Sequence, residues 1–410
     1  MRNLKKSDNS GAVTTIGLVL ASLPAYSETF FRTKIKYLKE SSDFDVIVFS
    51  DSHSKQKFDL CEVFFAPNFS IHSLIAFIQR TLFVVLTFYR SPKKVIKLIR
   101  LYNGSNLSLN KILVSIIKSG HIIRHKIDVL HFGYGTMALG REHLAHVMGA
   151  KLAVSFRGFD IAIYPLKQRG CYSLLWKTVD VVHVISDDLA TLLYREGLSS
   201  EISLRKITPA IDIEKFKIDQ IKPKSSLLKL VTVCRLHWKK GLEYTLEALA
   251  ILKESNLRFH YTVIGEGEER ERLIYAVHQL GLQDQVTFAG RCDQNAIIEL
   301  LKSADLYLQY SIQEGFCNAV LEAQAMGLLC IVSDAEGLPE NVLHNYTGWV
   351  VPKRKPALLA NRIHEVSKLS DEKALEVRLR AIERVKAEFN IDKQCNEFRD
   401  FYLCAGLKNS

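Results

Sequence analysis

The segment Glu314-Gly315-Phe316-Cys317-Asn318-Ala319-Val320-Leu321-Glu322 places two carboxylates eight residues apart, with a glycine beside the first of them. A short apolar run, Leu306-Tyr-Leu308, precedes it and reads as a strand. A helix is predicted to start close to Asn318, which leaves Glu314 in the loop and Glu322 about one turn into the helix. The free N–H groups at such a helix start accept phosphate. Glu314 is then able to bond sugar hydroxyls, and Glu322 to hold ribose hydroxyls, as acidic residues do in dinucleotide sites. The plain alternative is a pair of exposed carboxylates on an ordinary helix.

Three further clusters lie at the ends of predicted strands in the same half. Leu230-Val-Thr-Val-Cys234 runs into Arg235-Leu-His-Trp-Lys-Lys240-Gly241. In a doubly wound sheet, ligands sit beyond the carboxyl ends of the strands. Arg235 and Lys240 there are suited to neutralise a diphosphate leaving group, although a basic surface loop accounts for them equally. Phe259-His-Tyr-Thr-Val-Ile264 ends in Gly265-Glu266-Gly267, which allows backbone to approach a ligand closely or simply turns the chain. Cys330-Ile-Val-Ser-Asp334 is followed by Ala335-Glu336-Gly337-Leu338-Pro339-Glu340, which reads foremost as a routine turn into a helix.

The first half shows the same alternation. Thr15–Ala21, Asp45–Ser50, Asp128–Phe132, Lys151–Phe156 and Val179–Ile185 are short apolar runs, and Glu28–Lys39 reads as a helix capped by Ser27. Strands alternating with helices imply βαβ units and parallel sheets. The polar stretch 217–228, containing Pro223, is read as the linker. Two Rossmann-like domains are therefore expected, at 1–218 and 225–385. A final helical segment, 386–410, is expected to pack back toward the first. No repeat of solenoid period is present.

Composition sets the remaining bounds. With 48% hydrophobic and 24% charged residues the chain is ordinary for a globular protein. The eight cysteines are scattered without a Cys-x-x-Cys pair, which favours free thiols and a reducing compartment over disulfides or zinc. The net charge of +11 is not spread evenly: residues 1–200 hold 26 Lys and Arg against 15 Asp and Glu, and residues 201–410 hold 29 of each. Between Glu62 and Asp128 there is no acidic residue, while ten basic ones, from Arg80 to Lys126, are interleaved with Phe, Leu and Ile. This window suggests docking on an anionic membrane surface, against a merely solvated basic face. Nucleic acid is disfavoured, since no recognised motif accompanies the charge. Arg80 in the middle of Ile71–Tyr89 argues against a spanning helix.

The order Arg235…Lys240-Gly241, Gly265-Glu266-Gly267, Glu314-Gly315-Phe316…Glu322-Ala323 and Gly337-Leu338-Pro339-Glu340 resembles the retaining glycosyltransferases of family 4. The resemblance covers about residues 225–385. It implies a GT-B fold, two Rossmann-like domains with parallel sheets facing a central cleft. It also implies Arg235 and Lys240 on the diphosphate, Glu314 on the donor sugar and Glu322 on the ribose. The donor site is expected to comprise Gly265, Glu266, Gly315, Phe316, Cys317, Asn318, Leu321 and Glu322, with a UDP-sugar as the default co-substrate and a GDP-sugar as the alternative. No metal and no other cofactor are implied.

In the first half, Pro24-Ala-Tyr-Ser-Glu28, His131-Phe-Gly133 and Ser155-Phe-Arg157-Gly158-Phe-Asp160 resemble members that build bacterial exopolysaccharide, capsule or lipopolysaccharide. Ser27, Glu28, His131, Arg157 and Asp160 are accordingly expected on the side of a saccharide or lipid-linked acceptor. The implied location is cytoplasmic, peripheral on the inner membrane. The chain departs from many relatives at Arg157, where they have His, and at Cys317, where they have Gly. A non-catalytic sugar-nucleotide binder and a sugar-nucleotide epimerase are the rival readings.

Overall fold

Apolar runs buried along their whole length mark the centres of two sheets. In the computed structural model, which describes residues 13–24, 29–54, 58–69, 72–105, 107–218 and 227–406, they belong to separate units. Unit 1 is Met1–Val184, Ala190–Ile207 and Cys395–Ser410, and unit 2 is Ile185–Leu189 and Thr208–Gln394.

Unit 1 contains β1 (Thr14–Leu20), β2 (Phe44–Ser50), β3 (Glu62–Phe65), β4 (Val129–Phe132), β5 (Lys151–Phe156), β6 (Val181–Val184) and β7 (Ser203–Lys206). They pair in parallel in the order β3-β2-β1-β4-β5-β6-β7. The inner strands β4 and β6 are buried throughout, as strands covered by helices on both faces must be. One side of this sheet packs Ile16, Leu18, Phe31, Ile35 and Val46 against Phe398, Phe401 and Tyr402 of the last helix, Ile391–Gly406.

Unit 2 repeats the winding. Its strands are β8 (Leu228–Val233), β9 (Phe259–Ile264), β10 (Val286–Gly290), β11 (Leu306–Gln309), β12 (Leu329–Ser333) and β13 (Trp349–Val351). All pairs are parallel, in the order β10-β9-β8-β11-β12-β13. The order reverses between β8 and β11. In an open α/β sheet, ligands enter at such a point.

The strands that escaped sequence reading, β3, β7 and β13, are all at or next to sheet edges. β7 is Ser-Leu-Arg-Lys and mostly exposed, so no apolar run announces it. The expected linker falls largely on 219–226, outside the described residues. The basic window forms the helices Ser73–Arg90, Pro92–Gly104 and Leu109–Ser119. Among the described residues no single helix is long and apolar enough to cross a membrane. None of the eight cysteines forms a disulfide. Cys317, Cys330 and Cys395 are buried, whereas Cys404 is exposed and the others are half-buried.

Candidate functional site

Backbone packing draws the loops after β8, β9, β11 and β12 into one cluster. After β8 the chain stays hydrogen-bonded to the chain leaving β9: Cys234 N–H donates to Ile264 O at 2.9 Å, and Leu236 N–H to Glu266 O at 2.9 Å. Gly265 makes this possible. Its φ is +137°, and a Cβ there would lie 1.9 Å from the Cys234 carbonyl oxygen. Only glycine satisfies both demands. A short 3₁₀ turn, Trp238–Lys240, follows, with His237 Nδ1 accepting the Lys239 N–H at 3.2 Å. Ile312 N–H donates to Lys239 O at 2.7 Å and ties this turn to the loop after β11.

Across that tie the Lys240 ammonium donates directly to the Glu314 carboxylate. Both side chains are mostly buried, 18% and 13% exposed. Burial opposes the lysine's charge, but the Glu314 carboxylate outweighs it and holds the ammonium above the usual lysine range. The Ser311 hydroxyl adds a bond to the same carboxylate oxygen at 3.3 Å, and Gln309 Nε2 donates to Ser311 at 2.8 Å. Arg235 is exposed and has no ion-pair partner among the described residues. Lys240 is thus the fixed cation of the pair and Arg235 the one open to a ligand.

The turn after β12 holds Glu314 from behind. The Glu336 carboxylate accepts the Glu314 N–H, and Gly337 N–H donates to Glu314 O at 2.9 Å. Gly337 touches Gly315 so closely that a Cβ would sit 1.9 Å from the Gly315 carbonyl oxygen. Glu336 itself stands at φ +35°, a conformation uncommon for a residue with a side chain. Burial lifts its carboxyl above the usual range, and Lys353 approaches it at 3.8 Å. Asn341 then clamps Cys317 through both of its amide atoms: Oδ1 accepts the Cys317 N–H at 3.0 Å, and Nδ2 donates to Cys317 O at 3.1 Å. Glu336 and Asn341 are the supporting residues that sequence reading missed. The sequence signal was the Glu336-Gly337 turn at a strand end, read there as a routine connection.

The helix that follows runs Asn318–Ala325, so Glu322 stands one turn in. It is half-buried, and its carboxylate has no hydrogen-bond partner among the described residues. Burial alone raises its carboxyl to about 7. Asn318, Gly315 and Gly265 are partly accessible and Glu266 is exposed. Phe316, Cys317 and Leu321 of the expected donor list are buried. They are 8%, 6% and 0% exposed, and the Phe316 ring lies tilted against Phe389 with centroids 5.7 Å apart. Their side chains build the support of the loop. Cys317 is held as a thiol, since burial pushes it up to about 12.

The expected acceptor residues behave differently from one another. Ser27 and Glu28 lie outside the described residues. His131 is fully buried, with both ring nitrogens engaged, by Tyr402 at 2.5 Å and Ser155 at 2.8 Å. The chain continues from Ser155 to His183 at 2.7 Å and on to Ile207 O at 3.0 Å. His131 therefore serves the interior of unit 1 and presents nothing to solvent, a correction with a clear cause: β4 is a central strand. Asp160 is also buried. It accepts N–H groups from Gly135, Arg157 and Gly158, and so shapes the loop after β5. Arg157 remains partly accessible, with its guanidinium 4.3 Å from the Phe30 ring and 4.9 Å from the Phe31 ring. Among the described residues no group of three His, Cys, Asp or Glu is placed to hold a metal ion.

The chain is similar to known glycosyltransferases. Residues 214–387 match the family model described as glycosyl transferases group 1. A putative colanic acid biosynthesis glycosyltransferase, WcaL, of Escherichia coli K12 is 29% identical over 276 residues, 65% of this chain and 68% of WcaL. The amylovoran biosynthesis glycosyltransferase AmsK of Erwinia amylovora is 30% identical over 272 residues, 64% of this chain and 66% of AmsK. Among solved structures, Anabaena Alr3699/HepE in complex with UDP superposes with a TM-score of 0.69 at 16% identity, covering 96% of this chain and all of HepE. At that identity the likeness speaks for the fold alone.

Proposed function

We propose that this glycosyltransferase, a GT-B enzyme carrying a group 1 domain, moves a sugar from a nucleotide-sugar onto a saccharide acceptor during assembly of a bacterial surface polysaccharide. The observation that carries the reading is the Lys240–Glu314 pair at the point where the unit 2 sheet reverses its order. Arg235 and Lys240 stabilise the departing diphosphate. Glu314, fixed by Lys240 and Ser311, orients the sugar hydroxyls. Glu322 takes the ribose hydroxyls, and the N–H groups of the first helical turn from Asn318 meet phosphate. The family resemblance adds retention: the acceptor hydroxyl attacks the anomeric carbon from the face the diphosphate leaves. The carbon–oxygen bond to phosphate breaks, the glycosidic bond forms, and the hydroxyl proton passes to the departing phosphate oxygen. No residue here is asked to hold a metal. A uridine nucleotide is the default donor base, with a guanosine one as the alternative.

Unit 1 takes the acceptor, with Arg157 the accessible cation of its expected site. The basic window supports a lipid-linked acceptor at the inner face of a membrane. On the helix Ser73–Arg90, Leu74, Phe77 and Tyr89 are 71%, 67% and 83% exposed, and Ile78, Leu82 and Val85 are more than half exposed. A surface this apolar, ringed by Arg and Lys without one acidic residue between 63 and 127, suits an interfacial helix on anionic lipid.

A thermal-shift panel of UDP-, GDP-, dTDP- and CMP-sugars on the wild type and Glu322→Ala tests the donor reading. A shift selective for one base and lost in the variant is expected. No shift with any donor would overturn it.

A further inference from the structure

Beneath the helix Ser73–Arg90 lies a cavity of about 200 Å³, several times the roughly 30 Å³ share of one water. Phe83, Leu86 and Arg90 of that helix line one side, and His121 and Arg124 line the other. His121 is 6% exposed, and neither of its ring nitrogens has a hydrogen-bond partner. A neutral imidazole carries one N–H and one acceptor, so leaving both unmet is costly. Arg90 has no ion pair among the described residues. Arg124 spends only its Nε, on His125 at 3.2 Å, leaving the ends of its guanidinium available. No carboxylate lines the cavity.

The apolar wall is as telling as the cations. Leu86 is exposed on the same helix that carries Phe83 and Arg90, and the uncovered face of Leu74, Phe77, Ile78 and Val85 continues from it. A free inorganic anion needs no such wall; a phosphate esterified to a hydrocarbon chain does.

We propose that this cavity is a lipid-phosphate site, in which His121, Arg90 and Arg124 take the phosphate of an anionic membrane lipid whose acyl chains lie along the exposed face of the helix Ser73–Arg90. The proposal rests on the membrane reading above and adds to it a stereospecific headgroup. It separates a general attraction to negative charge from recognition of phosphate.

The test is co-sedimentation of the full chain with phosphatidylcholine vesicles doped either with phosphatidic acid or with a carboxylate-headed diacylglycerol, matched in surface charge. The wild type is expected to prefer phosphatidic acid about ten-fold, the scale of one charge-assisted hydrogen bond. His121→Phe changes no net charge, and Arg90→Gln alters an exposed side chain. Each is expected to erase the preference while leaving binding to the carboxylate vesicles in place. Equal binding of both vesicles by the wild type, or a preference surviving in both variants, overturns the site. Binding to neither vesicle removes the membrane reading, and soluble dihexanoyl phosphatidic acid then decides the cavity. A raised thermal midpoint in the wild type but not in His121→Phe sustains it, and no rise refutes it. An equal rise with inorganic phosphate would identify a free-anion site and overturn the lipid assignment.

Discussion

Lys240 and Glu314, 74 residues apart in the chain, form a direct ion pair between the loops that follow β8 and β11. The pair fixes a cation and a carboxylate in one orientation before any ligand arrives. Preorganised charge of this kind is worth most where charge develops in the transition state.

Lys240→Ala is therefore expected to lower kcat by about 10²–10³, with donor KM changed far less. Glu314→Gln is expected to do the same by a different route, since it frees the lysine from its anchor. The double variant should lose much less than the product of the single losses, because the two act as a unit. Release of nucleoside diphosphate under saturating donor measures all three. Multiplicative losses would show that the two side chains act independently.

Asn341 holds the backbone of Cys317 by two bonds at 3.0 and 3.1 Å, and Gln324 Nε2 in turn donates to the Asn341 carbonyl at 2.9 Å. All three residues are buried. Asn341→Leu keeps the volume and strands one N–H and one C=O, at about 1–3 kcal/mol each. A fall of the thermal midpoint by several degrees is expected, accompanied by weaker donor binding in isothermal titration, because the helix start at Asn318 moves. An unchanged midpoint would remove the clamp from the account.

The sheets and the loops that cluster in unit 2 were legible in the sequence because buried parallel strands are apolar runs and the clusters sit at their ends. Glu314 and Glu322 were placed this way, one in the loop and one a turn into the helix. The support was not legible. Asn341 and Glu336 act through contacts made by residues 17–24 positions away, and neither lies in a pattern that periodicity reveals. His131 was expected on the acceptor side from the resemblance of His131-Phe-Gly133, whereas its partners, Tyr402 and Ser155, come from other parts of the chain and hold it inside unit 1. Edge strands such as β7 carry no apolar run at all.

Glu322 gives a pH signature. Burial raises its folded-state carboxyl from 4.5 to about 7. The folded chain therefore holds a proton that the unfolded chain releases, and this contribution to stability falls as pH rises from about 4.5 to 7. Glu322→Gln should flatten that part of the midpoint-versus-pH curve. Donor affinity should run the other way in the wild type, rising through pH 7 as the carboxylate forms and accepts ribose hydroxyls. Parallel pH curves for wild type and variant would exclude a titrating Glu322.

Lys34 supplies the matching test in unit 1. Its ammonium is 3% exposed, 4.6 Å from the Phe398 ring and 3.4 Å from the Tyr402 hydroxyl, with no carboxylate bonded to it among the described residues. Burial, with a smaller push from Arg157, lowers it from 10.5 to about 7. Between those values the unfolded chain binds the proton and the folded chain does not, so stability rises with pH across the window, and below pH 7 the charging cost is fully present. Lys34→Met keeps the apolar stem against Phe398 and removes the titration. The variant should melt above the wild type at pH 6, and the gap should shrink by pH 10. A gap that stays constant would mean that Lys34 is neutral, or paired, at both ends of the range.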